Sequence, residues 1–215
     1  MIVAVTGGIG SGKSAVCSIL ESEYGYPVYE ADVKVKELYS AVPGLLDEIE
    51  RALKADLRDA EGNFLPSALA AMVFTDSDAL EIVESIVFPE LVMDFRRWAQ
   101  DKKSEILVFE SATILEKKQF DGFADLVVLV NAPVEVRLAR ACARDGKDKD
   151  SILARMKCQT LMNDLSEGKE DPRIDYVIDN SGDCLELGRN TASFVEKRLL
   201  NKNVTTIFPA RRIIS

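Results

Sequence analysis

The sequence predicts an α/β fold, with a doubly wound parallel sheet of five strands. Short apolar segments rich in β-branched residues alternate with longer segments whose apolar residues recur at helical spacing. Several short segments are apolar on both faces, as strands are when helices cover both sides of a parallel sheet. The chain has 215 residues, of which 47% are hydrophobic and 29% charged, so it is long enough to bury a substantial core.

The first predicted strand leads into a glycine-rich loop. Residues 2–5 are apolar, residues 7–14 match the pattern G-x-x-x-x-G-K-[ST], and residues 15–20 have apolar side chains at helical spacing. Glycines let the backbone approach a triphosphate closely, and the N–H groups of the loop and helix N-terminus then face its oxygens. We therefore predict a phosphate-binding loop in which Lys13 contacts the β- and γ-phosphates and Ser14 ligates Mg²⁺. A turn that merely joins strand to helix is the alternative, which the strand–loop–helix context disfavours.

The remaining elements follow in the order expected of a P-loop fold like that of nucleoside monophosphate kinases. Strands are predicted at residues 27–30, 106–109, 126–130 and 176–178, and helices at 33–39, 134–144, 152–161 and 185–200. Residues 45–103 are almost wholly helical in pattern, with breaks at 61–63 and at Phe88-Pro89. We expect one domain, 1–215, with a helical insertion at about 45–103 and a lid at about 137–160. A polar loop is predicted at 145–150, and the tail from Asn201 is unassigned.

Composition excludes several functional classes. The net charge of −9 argues against non-specific binding to nucleic acid. The chain begins directly in a strand, without a signal peptide, and no stretch is apolar enough to span a membrane, so we expect a cytoplasmic protein. It contains no histidine, so a His/Cys zinc site is excluded and a general base must be a carboxylate or, less readily, Lys, Tyr or Cys. Oligomeric state is left open.

Polar residues should gather where the parallel strands end, because ligands bind at the carboxyl ends of such strands. These residues are the loop 7–14, the segment 30–32, Glu110 with Ser111, Asn131 and Asn180. Asp32 is the best candidate for the base that accepts a proton from a substrate hydroxyl. The alternative is that Asp32 caps the helix predicted to begin at Val33, since Asp is a preferred N-cap residue.

Three arginines occur at helical spacing after the fourth strand. Arg137, Arg140 and Arg144 lie three and four residues apart, so they share one helix face. Such a face could stabilise the charge of a phosphoryl-transfer transition state, or it could be an ordinary solvated surface paired with acids. A phosphate loop alone fits a kinase, an ATPase or a GTPase, but the chain lacks the N-K-x-D motif typical of GTPases. The insertion and the arginines favour a small-molecule kinase with a lid.

Several segments together resemble the dephospho-coenzyme A kinase family, in the same order from the first strand to Gly182. The matching segments are residues 6–14, Glu30-Ala31-Asp32 (similar to Asp-Ala-Asp), Phe88-Pro89 (where the family has His-Pro), 110–116 (similar to Asp-Ile-Pro-Leu-Leu-Phe-Glu), 140–145 (Arg-x-x-x-Arg-Asp), 155–159 (Arg-Ile-x-x-Gln) and 175–182 (Asp-x-Val-Ile-Asp-Asn-x-Gly). Phe88 cannot donate the hydrogen bonds of a histidine, Ala112-Thr113 replaces Pro-Leu, and Glu30 adds a methylene. None of these departures removes a group that phosphoryl transfer requires.

The resemblance implies that the chain transfers the γ-phosphoryl group of ATP to the ribose 3′-hydroxyl of dephospho-coenzyme A, with Mg²⁺, giving coenzyme A and ADP. It implies that Asp32 is the base, that Arg140 and Arg144 are lid cations, and that residues 45–103 hold the acceptor. The implied nucleotide-binding residues are Gly8, Ile9, Gly10, Ser11, Gly12, Lys13, Ser14, Ala15 and Asn180, the last in a segment that flanks the adenine. The alternatives are a P-loop kinase of a nucleoside, nucleotide or sugar, or a nucleotide-dependent regulatory protein.

Overall fold

The strands form one parallel sheet in the computed structural model, which describes residues 1–146 and 148–200. Within these residues the sheet has five strands in the order β2-β3-β1-β4-β5. Their bounds are β1 (Ile2–Thr6), β2 (Val28–Glu30), β3 (Leu107–Glu110), β4 (Leu126–Asn131) and β5 (Tyr176–Asp179). All five agree with the segments expected from the sequence to within two residues at either end, and the predicted doubly wound α/β fold is confirmed.

The first strand occupies the centre of the sheet. Val5 lies opposite Glu110 of β3 on one side and opposite Val128 of β4 on the other. Val3 and Val5 are fully buried, as expected for a strand that neighbours flank and helices cover. The strand order runs in opposite directions on the two sides of β1, so the loop that leaves it lies at the switch point where such sheets bind ligands.

The helices connect the strands and build the insertion. Their bounds are α1 (Lys13–Tyr24), α2 (Ala31–Ala41), α3 (Leu45–Leu53), α4 (Pro66–Thr75), α5 (Ser77–Gln100), α6 (Val134–Asp145), α7 (Lys149–Lys157), α8 (Thr160–Ser166) and α9 (Cys184–Phe194). A 3₁₀ turn covers Lys118–Phe120, and α9 continues as a π-helical segment over Val195–Leu200. None of the helices in the described ranges is both long and apolar enough to cross a bilayer.

One compact unit comprises Met1–Tyr29 and the described residues between Ser104 and Leu200, and it contains the core under the sheet. Valines of β1 and β4 pack with α1 and α9 in this core. Its fully buried members include Val16 and Leu20 of α1, Ile178 of β5 and Phe194 of α9. Burying a side chain of this size contributes roughly 1.5–3 kcal/mol, so these contacts fix the strand ends that carry the phosphate loop.

The second compact unit, Glu30–Lys103, is helical, and it begins before the insertion expected at about 45–103 because it also contains α2. Helices α2, α3 and α4 pack on α5. The buried face of α5 repeats every four residues and consists of Ala79, Val83, Val87, Leu91 and Phe95. Residues 54–65 are not helical: Leu57 is buried, and Arg58 forms ion pairs with Asp47 and Glu50 of α3.

The prediction of a break at Phe88-Pro89 is wrong, because α5 runs unbroken through Pro89. Proline removes one backbone hydrogen bond from a helix and crowds the preceding turn, at a cost of about 3 kcal/mol. Val87 and Leu91, one on each side of this proline, are both buried against the other helices of the unit. Tertiary packing therefore outweighs the local preference.

Two expectations for the region after α6 also need correction. The loop predicted at 145–150 is shorter, because Asp145 still belongs to α6 and α7 begins at Lys149, where the Asp148 carboxylate accepts a 2.8 Å hydrogen bond from the Ser151 N–H. The helix predicted at 152–161 is divided between α7 and α8 at Cys158 and Gln159. The tail from Asn201 lies outside the described residues.

Candidate functional site

The phosphate loop, residues 7–14, joins the end of β1 to the first turn of α1. Two of its glycines have left-handed backbone conformations, with φ of 76° at Gly10 and 98° at Gly12. A Cβ at Gly10 would collide with the backbone of Arg137, and one at Gly12 would collide with the side-chain amide of Asn180. Both positions therefore require glycine for conformation and for space.

Side chains from other elements hold two carbonyl groups of this loop. Arg137 Nε of α6 donates to the Ile9 oxygen at 3.1 Å, and Asn180 Nδ2 donates to the Ser11 oxygen at 2.7 Å. In a trans peptide the C=O and the following N–H point in opposite directions. Each bond therefore turns the next N–H, that of Gly10 or of Gly12, away from the side chain that holds the carbonyl. This is how a loop is arranged to present N–H donors to an anion.

Lys13 is the charged residue predicted to contact the phosphates. Its Nζ donates a 3.0 Å hydrogen bond to the carbonyl oxygen of Gly7, at the start of the same loop. The Lys13 side chain therefore extends from the first turn of α1 back to the first residue of the loop. This places the positive charge of Lys13 at the phosphate loop.

Ser14, the predicted magnesium ligand, is paired with a carboxylate from the neighbouring strand. Its hydroxyl donates to Oε1 of Glu110 at 3.0 Å, and Glu110, the last residue of β3, is 8% exposed. A hydroxyl beside a carboxylate is a donor set that suits Mg²⁺. Among the described residues no group of three or more His, Cys, Asp or Glu side chains could hold a metal ion.

Helices α6 and α7 are attached to the tip of the loop. Ile9 packs against a buried cluster that includes Leu138, Ile152 and Met156. The Ile9 N–H donates to Oε1 of Gln159, which follows α7, at 2.8 Å. The predicted lid region is therefore joined to the phosphate loop through both an apolar contact and a hydrogen bond.

The three arginines of α6 have three different environments. Arg137 is 1% exposed, so for this arginine the alternative of an ordinary solvated surface is wrong. Arg140 donates from NH1 to the Asn180 oxygen at 2.8 Å and from NH2 to the Gly182 oxygen at 3.1 Å, and it thereby holds the segment after β5. Arg144 is exposed. A shared helix face thus does not give these residues a shared partner.

The exposed end of α6 carries a small ion-pair network. The carboxylate of Asp145 accepts hydrogen bonds from Arg144 Nε at 2.6 Å and from Arg155 NH1 at 3.0 Å. The hydrogen bond from Arg144 is the main reason that the pKa of Asp145 is lowered to about 2, and the same bond raises the pKa of Arg144. The network therefore stays ionised at neutral pH and ties α6 to α7.

Asp32, the predicted base, is an exposed residue in the first turn of α2, within the helical unit. The helix begins at Ala31 and its N-cap position is Glu30, which makes no side-chain capping bond. The alternative in which Asp32 caps a helix that begins at Val33 is therefore wrong. A carboxylate in a first turn still interacts favourably with the helix dipole.

Two further polar side chains of the loop region are buried without a hydrogen-bond partner. They are the hydroxyls of Thr6 and Ser11, and the statement holds for the residues that the structure describes. An unsatisfied buried hydroxyl costs roughly 1–3 kcal/mol, so such groups mark strain or a site for a ligand or water. Ser11 belongs to the predicted phosphate loop, and Thr6 directly precedes it.

Sequence reasoning missed three contacts around the loop. Glu110 was expected at the edge of the sheet, but its hydrogen bond with Ser14 was not predicted. The contact forms because β3, which ends at Glu110, is the neighbour of β1 in the sheet. Gln159 belongs to a recognised segment, yet its bond to Ile9 spans 150 residues. The burial of Arg137 had no signal in the sequence, because helical spacing indicates which residues share a face and not what covers it.

A protein-family model and several known proteins are similar to most of the chain. The family model described as "CoaE: Dephospho-CoA kinase" matches residues 1–186. The dephospho-CoA kinase of Porphyromonas gingivalis is 36% identical over 172 residues, covering 80% of this chain and 84% of that protein. The dephospho-CoA kinase of Chlorobaculum tepidum is 36% identical over 195 residues, covering 87% and 89%. A crystal structure from Thermus thermophilus superposes with a TM-score of 0.79 at 29% identity, covering 93% and 97%.

Proposed function

The chain belongs to the dephospho-CoA kinase family, and from this premise we propose how its residues carry out the family's reaction. The reaction transfers the γ-phosphoryl group of ATP to dephospho-coenzyme A, giving coenzyme A and ADP, and it is the final step of coenzyme A synthesis. The observation that carries the proposal is the geometry of the phosphate loop. Arg137 and Asn180 hold the carbonyl groups of Ile9 and Ser11, so the N–H groups of Gly10 and Gly12 point away from these two side chains. Another P-loop kinase or a regulatory nucleotide-binding protein is not favoured.

ATP binds in this proposal with its phosphates in the loop. Residues 8–15 surround the phosphates, and the N–H groups of Gly10 and Gly12 donate to them while the Ile9 N–H stays bonded to Gln159. Lys13 moves from the Gly7 carbonyl onto the β- and γ-phosphates. Asn180 acts by holding the Ser11 carbonyl, and the segment that follows it lies beside the adenine. Neutralising the phosphates in this way lowers the free energy of the transition state, in which negative charge is spread over the transferred group.

Magnesium is proposed to bind at Ser14. The donor set at this position is the Ser14 hydroxyl with the Glu110 carboxylate as its hydrogen-bond partner, and Mg²⁺ prefers such oxygen ligands. The ion would supply positive charge that neutralises the nucleotide phosphates. Glu110 orients the Ser14 hydroxyl through their hydrogen bond.

The lid arginines have separate roles in the proposal. Arg144 is exposed, and ion pairs of exposed residues contribute little, typically 0.2–1 kcal/mol. Its guanidinium can therefore leave Asp145 for the transferring phosphoryl group at small cost. Arg140 holds the two carbonyls after β5 and retains further N–H donors, because a guanidinium has five. Both then stabilise charge that is largest in the transition state.

Asp32 is proposed as the base, and the helical residues 45–103 are proposed to hold the acceptor. A ribose hydroxyl needs a group that orients it and receives its proton, and in a chain without histidine a carboxylate suits that task at neutral pH. The support is the family resemblance of Glu30-Ala31-Asp32 and the exposure of Asp32 in the first turn of α2.

The experiment follows the transferred group. The protein is incubated with ATP labelled in its γ-phosphoryl group, Mg²⁺ and dephospho-coenzyme A, and the products are separated. We expect the label in coenzyme A, as a monoester at the ribose 3′ position. Label that appears only in inorganic phosphate would contradict the proposed function. So would label that leaves ATP equally fast when dephospho-coenzyme A is omitted.

A further inference from the structure

Arg137 is a buried cation directly behind the phosphate loop. Its side chain is 1% exposed and extends from α6 to the loop backbone. Nε donates to the Ile9 oxygen at 3.1 Å, and NH1 donates to the Ser166 hydroxyl at 2.6 Å. NH2 is buried without a hydrogen-bond partner in the described part of the chain, and it occupies the space that a Cβ at Gly8 would take.

The charge of this guanidinium is uncompensated. Both of its hydrogen-bond partners, a carbonyl and a hydroxyl, are neutral, and no carboxylate of the described residues forms an ion pair with it. Burial accordingly lowers the pKa of Arg137 from its ordinary value, with no opposing contribution from a nearby acid. Buried charges are costly unless paired, so a cation kept in this position calls for an anion that the protein itself does not supply.

A bound anion can interact with the charge of Arg137 through the Ile9–Gly10 peptide, whose carbonyl group accepts a hydrogen bond from Arg137. The Ile9 carbonyl and the Gly10 N–H belong to one peptide plane and point in opposite directions. A cation on the carbonyl polarises that peptide and makes the N–H at its other end a stronger donor, since hydrogen bonds in a chain reinforce one another. The charge of Arg137 thus reaches the far side of the loop, although the side chain itself stays behind the backbone.

We propose that Arg137 is a positioning residue for nucleotide binding, whose buried charge holds and polarises the Ile9–Gly10 peptide so that the Gly10 N–H binds a nucleotide phosphate more tightly. The inference rests on the proposed function, because it requires that a nucleotide polyphosphate bind in the loop. It differs from a lid role, since Arg137 never touches the nucleotide. It also differs from a purely structural role, because the charge and not only the hydrogen bonds is required.

The test measures ADP affinity by calorimetry and the melting temperature with and without ADP. Three variants separate charge from hydrogen bonding: Arg137→Lys keeps the charge, Arg137→Gln keeps amide donors without the charge, and Arg137→Met keeps neither. Arg189→Met is the matched control, because Arg189 is an exposed arginine on α9 and its loss changes the net charge equally. Circular dichroism checks that each variant is folded.

We expect Arg137→Met and Arg137→Gln to weaken ADP binding about tenfold or more, the effect of a nearby charge in a partly buried site. Arg137→Lys retains affinity between that of the wild type and that of Arg137→Gln, and Arg189→Met binds like the wild type. Without ADP, Arg137→Gln melts at or above the temperature of Arg137→Lys, because the uncompensated charge is gone. If the Met variant fails to fold, the Lys–Gln comparison alone decides.

Equal ADP affinity in the Lys and Gln variants would overturn the inference, and so would wild-type affinity in the Gln or Met variant. These results would leave the proposed function intact, provided that the wild type binds ADP. A wild-type protein that binds no ADP would overturn both.

Discussion

The hydroxyl of Ser14 donates a 3.0 Å hydrogen bond to Oε1 of Glu110, which joins the first turn of α1 to the end of the neighbouring strand β3. Ser14 is exposed whereas Glu110 is nearly buried, so the carboxylate fixes the hydroxyl from inside the protein. This pairing places a magnesium-ligand candidate and its orienting group at the position where the phosphate loop ends.

The first prediction concerns Glu110→Gln, which keeps the shape and an acceptor for Ser14 but removes the charge. Groups that orient a metal ligand typically change metal affinity by roughly 10–100-fold. We expect the Mg²⁺ concentration for half-maximal activity to rise within that range, measured at saturating ATP. Glu105→Gln is the control, because Glu105 is exposed just before β3. An unchanged Mg²⁺ requirement in Glu110→Gln would show that this carboxylate has no part in binding the metal.

The second prediction concerns Asn180→Ala. The variant leaves the Ser11 carbonyl without its buried donor, which costs roughly 1–3 kcal/mol of stability. It also frees the Ser11–Gly12 peptide to turn, so we expect a raised KM for ATP. Asn190→Ala is the control, since Asn190 donates to the Asp179 carbonyl outside the loop, at 2.9 Å. If both variants lose stability but neither changes the KM for ATP, Asn180 only supports the fold.

The third prediction concerns the lid cations. Arg140→Ala and Arg144→Ala should each lower kcat more than they raise the KM for dephospho-coenzyme A, because their charge is required mainly in the transition state. Arg155→Ala is the control for Arg144, since both arginines donate to Asp145. Loss of that ion pair alone would affect the Arg144 and Arg155 variants equally. A weaker KM with unchanged kcat would assign either lid residue to ground-state binding.

The fourth prediction concerns Asp32→Asn. General-base assistance is typically worth about 10²–10⁴-fold in rate, so we expect kcat to fall by that order while the affinity for ATP changes little. The free energy of unfolding should change by about 1 kcal/mol at most, the upper end of the usual contribution of a charge in a first helical turn. Glu48→Gln, an exposed first-turn acid of α3, controls for the helix-dipole effect. Full activity in Asp32→Asn would exclude Asp32 as the base and direct attention to Glu110.

Local patterns predicted the sheet and the phosphate loop well, because each depends on residues that are close in sequence. The apolar runs gave all five strands of the described chain, and the loop glycines indicated a backbone that only glycine can adopt. The alternation of strands with helices then fixed a parallel sheet, since parallel neighbours need a crossover connection.

Contacts between distant residues could not be predicted in this way. Pro89 indicated a helix end, but packing on both sides of it maintains α5. The spacing of Arg137 and Arg144 indicated a common helix face, yet one guanidinium is buried behind the phosphate loop and the other is exposed. Such differences depend on what the fold brings against a helix, which a single sequence does not contain.

The central claim, phosphoryl transfer to dephospho-coenzyme A, is tested most directly by kcat/KM for ADP release with different acceptors. The assay compares dephospho-coenzyme A, a set of nucleosides, nucleotides and sugars, and no acceptor, each with wild-type protein and with Lys13→Ala. We expect rapid ADP release only with dephospho-coenzyme A, and its loss in a folded Lys13→Ala variant, because Lys13 supplies charge to the transferring group. Faster release with another acceptor, equal release without one, or near-normal kcat in Lys13→Ala would contradict the account.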